Sequence, residues 1–318
     1  MRLVAAVADL GSLVALNAMD PLAIPKEVTN WLSKIFVGCN ERISLKLSNN
    51  PNLPEESLDL TWIEHLSQYS SPKTFSSAWT VRLDTHYLGG LRHFYGWEIA
   101  DIGLLIFFRR AGKIIRSKVA LLQSKRLYPS NNSVREEIDV DYQIGFARLA
   151  DPEEMRISLT TVSEFSFADQ SRYGALAAGS QQVREINDYQ RKNKLSVYYQ
   201  LYNPWTVPFT QRIPLTSYTA PDGALTLGTR VIPATVVHDS FRDKPKGYKP
   251  ALVDFEASCG GDEHRFGWRL EFFVADLVLQ CREGSPFQDI SDERIQTLFY
   301  RRSGPISAAI AINIELPP

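Results

Sequence analysis

Residues 97 to 129 read WEIADIGLLIFFRRAGKIIRSKVALLQSKRLYP, and this stretch decides the fold. It opens on Glu98 and Asp101, runs through the apolar segment Ile102 to Phe108, and turns at Ala111-Gly112-Lys113. It returns through Val119-Ala120-Leu121-Leu122 to Gln123-Ser124-Lys125. Two β-rich segments joined by a short glycine-containing connection predict a hairpin. Strand side chains alternate faces, so Gln123 and Lys125 project on one side beside Leu121. An amide and an ammonium on that side of an otherwise apolar strand call for a polar partner. A carboxylate just before the partner strand supplies one, and the combination predicts a small metal site.

An aspartate, then a hairpin, then Gln-x-Lys resembles the PD-(D/E)xK nuclease superfamily, most closely its Mrr-like branch, in which glutamine replaces the second acid. The string is Gln123-Ser124-Lys125-Arg126, and Asp101 follows Ala100 where the family has a proline before its Asp. The resemblance implies a restriction-endonuclease-like mixed sheet flanked by helices, and hydrolysis of DNA phosphodiester bonds in restriction or anti-phage defence. It implies Mg²⁺ or Mn²⁺ held by Asp101, Gln123 and a second acid, with Lys125 serving the attacking water or the charged transition state. Glu98 is the first candidate for that acid, because it lies nearest, although a regular strand puts it on the opposite face and a bulge would be required. Asp84 is the second candidate and Glu64 the third. Glutamine adds no negative charge, so the metal would be held more weakly than by two carboxylates. The alternative is a catalytically silent nuclease fold that binds nucleic acid or protein.

From Arg109 to Arg126 the chain carries Arg109, Arg110, Lys113, Arg116, Lys118, Lys125 and Arg126 and no acid. Such a cluster predicts salt-dependent contact with DNA phosphates, weakened by alanine at Arg109, Arg110 and Arg116. It is equally how an exposed hairpin stays soluble. A second, weaker basic patch is Arg242 to Lys249, RDKPKGYK.

The rest of the chain sets the frame. Its 318 residues suffice for one large domain, and 44% hydrophobic with 22% charged residues is ordinary for a globular protein. A net charge of -1 excludes a protein that coats nucleic acid everywhere, so phosphate binding must be local. The three cysteines, Cys39, Cys259 and Cys281, are odd in number and far apart, which points to reduced thiols and a cytoplasmic protein. Met1 to Ala18 is apolar but broken by Asp9, and reads as a packing segment, with no membrane span. A homo-oligomer or a protein partner is compatible with all of this.

In chain order, Pro25 in a first turn followed by Val28, Leu32, Ile35 and Phe36 predicts a short helix. Ser48 to Glu56 reads as loop, and Leu60, Ile63 and Leu66 predict a second helix carrying Glu64. Thr74 to Leu88, with Phe75, Trp79 and Leu83, predicts a third, ended by Gly89-Gly90. Ile157 to Phe167 is β-rich, Ser180 to Lys192 amphipathic, and Leu195 to Leu201 a strand. Leu225 to Val237 is β-like but broken, Leu270 to Leu279 a buried segment, Ser291 to Tyr300 a helix, and Ile306 to Leu316 a strand. The expected class is α/β or α+β. Residues 1–73 form an N-terminal helical segment, 74–205 the nuclease-like core, and 206–318 a β-rich extension of the same domain. His264 near Cys259 lacks zinc spacing, and no nucleophile elbow, phosphate loop or dinucleotide fingerprint occurs.

Overall fold

The structure, a computed structural model, describes residues 22–89, 99–131, 163–213, 223–260, 262–300 and 304–318. The apolar N-terminal segment and Glu98 therefore lie outside the described residues. Two helices open the chain: α1 (Lys26–Asn49) and α2 (Glu55–Ser67). α1 is longer than its sequence suggests, because Cys39, Ile43 and Leu47 continue the buried stripe begun by Val28 and Leu32. Pro25 caps it rather than occupying its first turn, and Pro54 does the same for α2.

The segment from Thr74 is not a helix. It forms β1 (Lys73–Thr74) and β2 (Thr80–Tyr87), turning at Ala78 with φ 61. Val81 and Leu83 alternate inward with exposed Arg82, a strand period that the wider Phe75-Trp79-Leu83 helical spacing masks. The predicted hairpin is present as β3 (Ala100–Arg110) and β4 (Lys113–Arg126), paired antiparallel from Ile102↔Leu122 to Arg110↔Lys113. Its connection is the two residues Ala111 and Gly112, both at positive φ (50 and 76), the turn whose twist matches that of the strands.

Further along come β5 (Ser163–Phe167), α3 (Gln181–Asn193), β6 (Val197–Tyr202), β7 (Phe209–Ile213), β8 (Arg230–Pro233) and α4 (Ala234–Asp239). β9 (Trp268–Arg269), β10 (Ser285–Phe287) and β11 (Ile306–Leu316) complete the strands. The segment read as buried from Leu270 is one helical turn followed by a π-helical stretch, Phe273–Val278. The helix expected over Ser291 to Tyr300 is two short turns, Glu293–Gln296 and Thr297–Phe299.

Nine strands form one mixed sheet in the order β1-β2-β11-β3-β4-β6-β8-β9, with β10 on β4. The fold is α/β. The last strand sits in the middle: β11 runs parallel to β3 and antiparallel to β2. Its sequence ISAAIAINIEL explains why it can. Ile310, Ile312 and Ile314 are fully buried against the α1 and α2 layer, and Ala309 packs on the other side. The C-terminal third is thus built into the sheet that carries the hairpin.

The two sheet faces bury separate apolar clusters. One joins Leu104, Ile106 and Leu122 to Leu32, Phe36, Leu58 and Trp62 of the first two helices. The other joins Leu105, Leu121 and Tyr199 to Ile186, Val237 and Phe255. Leu121 and Leu122 lie in opposite clusters, as strand parity requires. Among the described residues no helix is long and apolar enough to cross a membrane, and the three cysteines are free thiols.

Candidate active site

The pairing of β3 with β4 stops at Ile102↔Leu122, so Asp101 and Gln123 face each other just beyond the last rung. There the Asp101 carboxylate takes over from the β3 backbone as the partner of β4. Its Oδ2 accepts from the Ser124 backbone N–H at 2.6 Å and from Gln123 Nε2 at 2.5 Å. β4 continues alongside β6, which keeps residues 123–126 extended and holds Lys125 opposite Leu201. Lys125 Nζ reaches Glu55 Oε2 at 3.3 Å, and the other oxygen of Glu55 accepts from the Arg126 backbone at 3.0 Å. Ser124, pointing the other way, donates to Asp59 Oδ1 at 2.6 Å, and Tyr202 donates to the same oxygen at 2.5 Å. Gln200 donates to the Tyr202 hydroxyl in turn.

Asp101, Gln123 and Lys125 are thus brought together, and the acids that join them are Glu55 and Asp59. These two are four residues apart and share one face of α2, whose first turn abuts the end of β4. The sequence reading placed Glu55 in a loop and passed over Asp59. Two signals were available: Pro54-Glu55-Glu56 is a helix start with acids in its first turn, and Asp59 falls on the same stripe as Leu58, Trp62 and Leu66. A carboxylate on an apolar stripe needs an interior partner.

Neither other described candidate acid reaches this point. Glu64 is exposed, nine residues beyond Glu55 and therefore about 13 Å further along the helix axis. Asp84 is aligned through Ala311 with Leu105, two strands across and four residues along from Asp101. It accepts from Arg82 at 2.9 Å and Asn313 at 2.8 Å and lines a separate apolar cavity of about 550 Å³ with Phe107 and Phe299.

The basic run divides. Lys125 and Arg126 are buried at the site, where Arg126 donates to the Pro51 carbonyl at 2.5 Å and lies 3.7 Å from the Tyr128 ring centre. Lys118 is also buried and donates to the Glu283 carbonyl. As placed, Lys118 and Arg126 therefore have their charged groups inside the protein and not on a DNA-facing surface. Arg109, Arg110, Lys113 and Arg116 cluster at the turn end of the hairpin. Eight residues of extended strand separate Arg109 from Asp101, roughly 26 Å.

Electrostatics follow from this burial. The Asp59 carboxyl is pushed up to about 7, chiefly by loss of hydration, against the hydrogen bonds from Ser124 and Tyr202. The Asp101 carboxyl is raised well above the usual range, first by burial and then by the neighbouring Asp59 charge. Burial alone would lower the Lys125 ammonium, but Glu55, Asp101 and Asp59 outweigh it and hold it charged. The buried Gln123 Oε1 has no hydrogen-bond donor among the described residues.

That orphaned oxygen beside a carboxylate is the test of fit for a cation. Among the described residues no three Asp, Glu, His or Cys side chains converge as a ligand set. One carboxylate with an amide oxygen suits an ion that keeps most of its waters, as Mg²⁺ does, and not a dry, all-protein cage. No protein-family model, curated protein or solved structure matches the chain.

Proposed function

We propose that this chain is a nuclease-like protein of PD-(D/E)xK type that hydrolyses DNA phosphodiester bonds with Mg²⁺ or Mn²⁺. The observation that carries the reading is the convergence of Asp101, Gln123 and Lys125 where two antiparallel strands part, with Glu55 of a helix closing on Lys125. Asp101 and Gln123 Oε1 would hold the ion. When bound, it supplies polarisation of a phosphodiester oxygen and a lower pKa for coordinated water. Lys125, kept cationic by its carboxylate neighbours, is suited to stabilise the charge that builds on the phosphoryl oxygens. Glu55 sets the direction of that ammonium. Asp59, titrating near neutrality, tunes the charge behind Asp101. A role in restriction or anti-phage defence follows from the family resemblance.

A specific observation favours the second reading, a silent fold that binds without cleaving. Lys125 already spends its charge on Glu55, and the Gln123 amide is already held by Asp101. Incubation of the protein with duplex and single-stranded DNA in Mg²⁺ and in Mn²⁺ separates the two readings. Cleavage that disappears with chelator supports the enzyme, whereas binding with intact DNA in every condition supports the silent fold.

Gln123→Glu probes the ligand itself. The change removes the Nε2 donor from the 2.5 Å bond and sets a second carboxylate against Asp101. Without divalent ions the variant should be less stable by about 1–3 kcal/mol. Added Mg²⁺ should restore its melting temperature and raise it more than it raises that of the wild type. A melting temperature indifferent to Mg²⁺ in both proteins would remove Gln123 from the ligand set.

A further inference from the structure

Beyond the end of β4 at Arg126 the chain runs on through Leu127 to Tyr128, and the segments beside it come from far away in sequence. Tyr128 bridges Arg172, which bridges Ala251, while Tyr173 donates to the Pro250 carbonyl at 3.0 Å and Leu252 to the Ser171 carbonyl at 2.9 Å. Three segments therefore lie side by side at the end of the sheet that holds Asp101 and Lys125. Adjacent extended segments are spaced by about 4.8 Å, and three residues of strand span about 10 Å. The segment ending at Ala251 thus comes within roughly 10–20 Å of Lys125.

That segment is the end of the loop RDKPKGYK. Arg242 is paired with Asp239 at 2.8 Å, but among the described residues Lys244, Lys246, Lys249 and Arg172 have no carboxylate partner. All four are exposed. Arg172 donates to the Lys249 carbonyl at 2.5 Å and its guanidinium lies 5.5 Å from the Tyr248 ring centre, with Lys244 Nζ 4.8 Å from the same ring. Tyr248 is itself fixed, its hydroxyl donating to Asp254 at 2.6 Å. Two cations, Arg172 and Lys244, gathered over a pinned aromatic ring with two further exposed lysines on the same loop make a surface suited to a polyanion.

We infer that the strip formed by Arg172, Lys244, Lys246 and Lys249 around Tyr248 binds the phosphate backbone of DNA and leads it to Lys125. The inference rests on the nuclease-like reading for its destination. It transfers the main DNA contact from the hairpin turn, which points away from the site, to this loop.

The test compares a labelled 20-base-pair duplex bound by the wild-type protein, by K244E/K246E/K249E and by R109E/R110E/K113E over a salt series, with melts of each. The strip variant should bind at least tenfold more weakly and lose about 0.9 from its salt slope per lysine that contacts a phosphate. The hairpin variant should stay within twofold of wild type. Loss of binding in the hairpin variant with the strip variant unchanged overturns the inference and leaves the nuclease reading standing. Absence of wild-type binding at low salt also overturns it. Strip-dependent binding by a protein that cleaves nothing sustains the strip and removes the nuclease reading. If the triple variant fails to fold, K246E and K249E singly, each on an exposed side chain, carry the same comparison.

Discussion

Asp101→Asn is expected to lower phosphodiester cleavage by about 10²–10³-fold without lowering the melting temperature, since the neutral amide escapes the burial penalty on the carboxylate. The asparagine Oδ1 can still accept from the Ser124 N–H at the 2.6 Å position, so the strand end stays tied. What is lost is the negative charge available to a cation. Lys125→Ala should lose cleavage to a similar extent, but it will not spare the fold. The sequence alone puts Lys125 at a polar site outside the core. Instead its side chain is 5% exposed and ion-paired with Glu55. Removing it leaves a partly buried carboxylate without its cation, a loss of about 3 kcal/mol or more. The informative comparison is therefore Lys125→Ala with and without Glu55→Gln. If the double variant recovers stability but not cleavage, Lys125 has a role beyond pairing. Undiminished cleavage by Asp101→Asn would detach the proposed chemistry from this site altogether.

The second large effect is on stability and depends on pH. Asp59 has a folded pKa of about 7 against an ordinary value of 3.8, so between those values the folded protein holds a proton that the unfolded chain has released. Stability contributed by this group therefore falls as pH rises through the window from about 4 to 7 and is at its lowest above it. Asp101, also raised, acts in the same direction. Asp59→Asn keeps an oxygen to accept from Ser124 and Tyr202 and never ionises. It should stabilise the protein at pH 8 by on the order of 2–4 kcal/mol, and by little at pH 4. Denaturant melts at the two pH values give the difference directly. A variant less stable than wild type at pH 8 would show that Asp59 is held as a favourable anion. Added Mg²⁺ should mimic the substitution in part, since a cation offsets the charge that burial opposes, and should stabilise the wild type more at pH 8 than at pH 6.

The central hairpin was legible because its information is local. Ile102 to Phe108 and Val119 to Leu122 are long enough, and Ala111-Gly112 short enough, to dictate an antiparallel pair and its register. Parity then put Gln123 and Lys125 on one side with Asp101 across from them. The terminal strand was equally plain, since ISAAIAINIEL is an apolar run with isoleucine or leucine at every second position from Ile310 on. Its position was not. That β11 enters between β2 and β3 depends on which strand edges remain open once the helices have covered both faces, and no window of sequence contains that. The segment at Thr74 failed for a related reason. Phe75, Trp79 and Leu83 fit a helical spacing, and only pairing with β11 shows that Val81 and Leu83 serve a strand. The partners of Lys125 were beyond local reading too. Glu55 precedes Lys125 by 70 residues and Asp59 precedes Ser124 by 65, and both acids meet β4 because α2 packs across the sheet. The sequence by itself determined a carboxylate, an amide and a lysine at the end of one hairpin. Tertiary packing decided which acids complete them, how deeply they are buried, and that the arginines of the turn lie at the far end. Contact order is the physical reason: the hairpin is made by neighbours along the chain, and the site is made by burial of surfaces that the chain brings together only on folding.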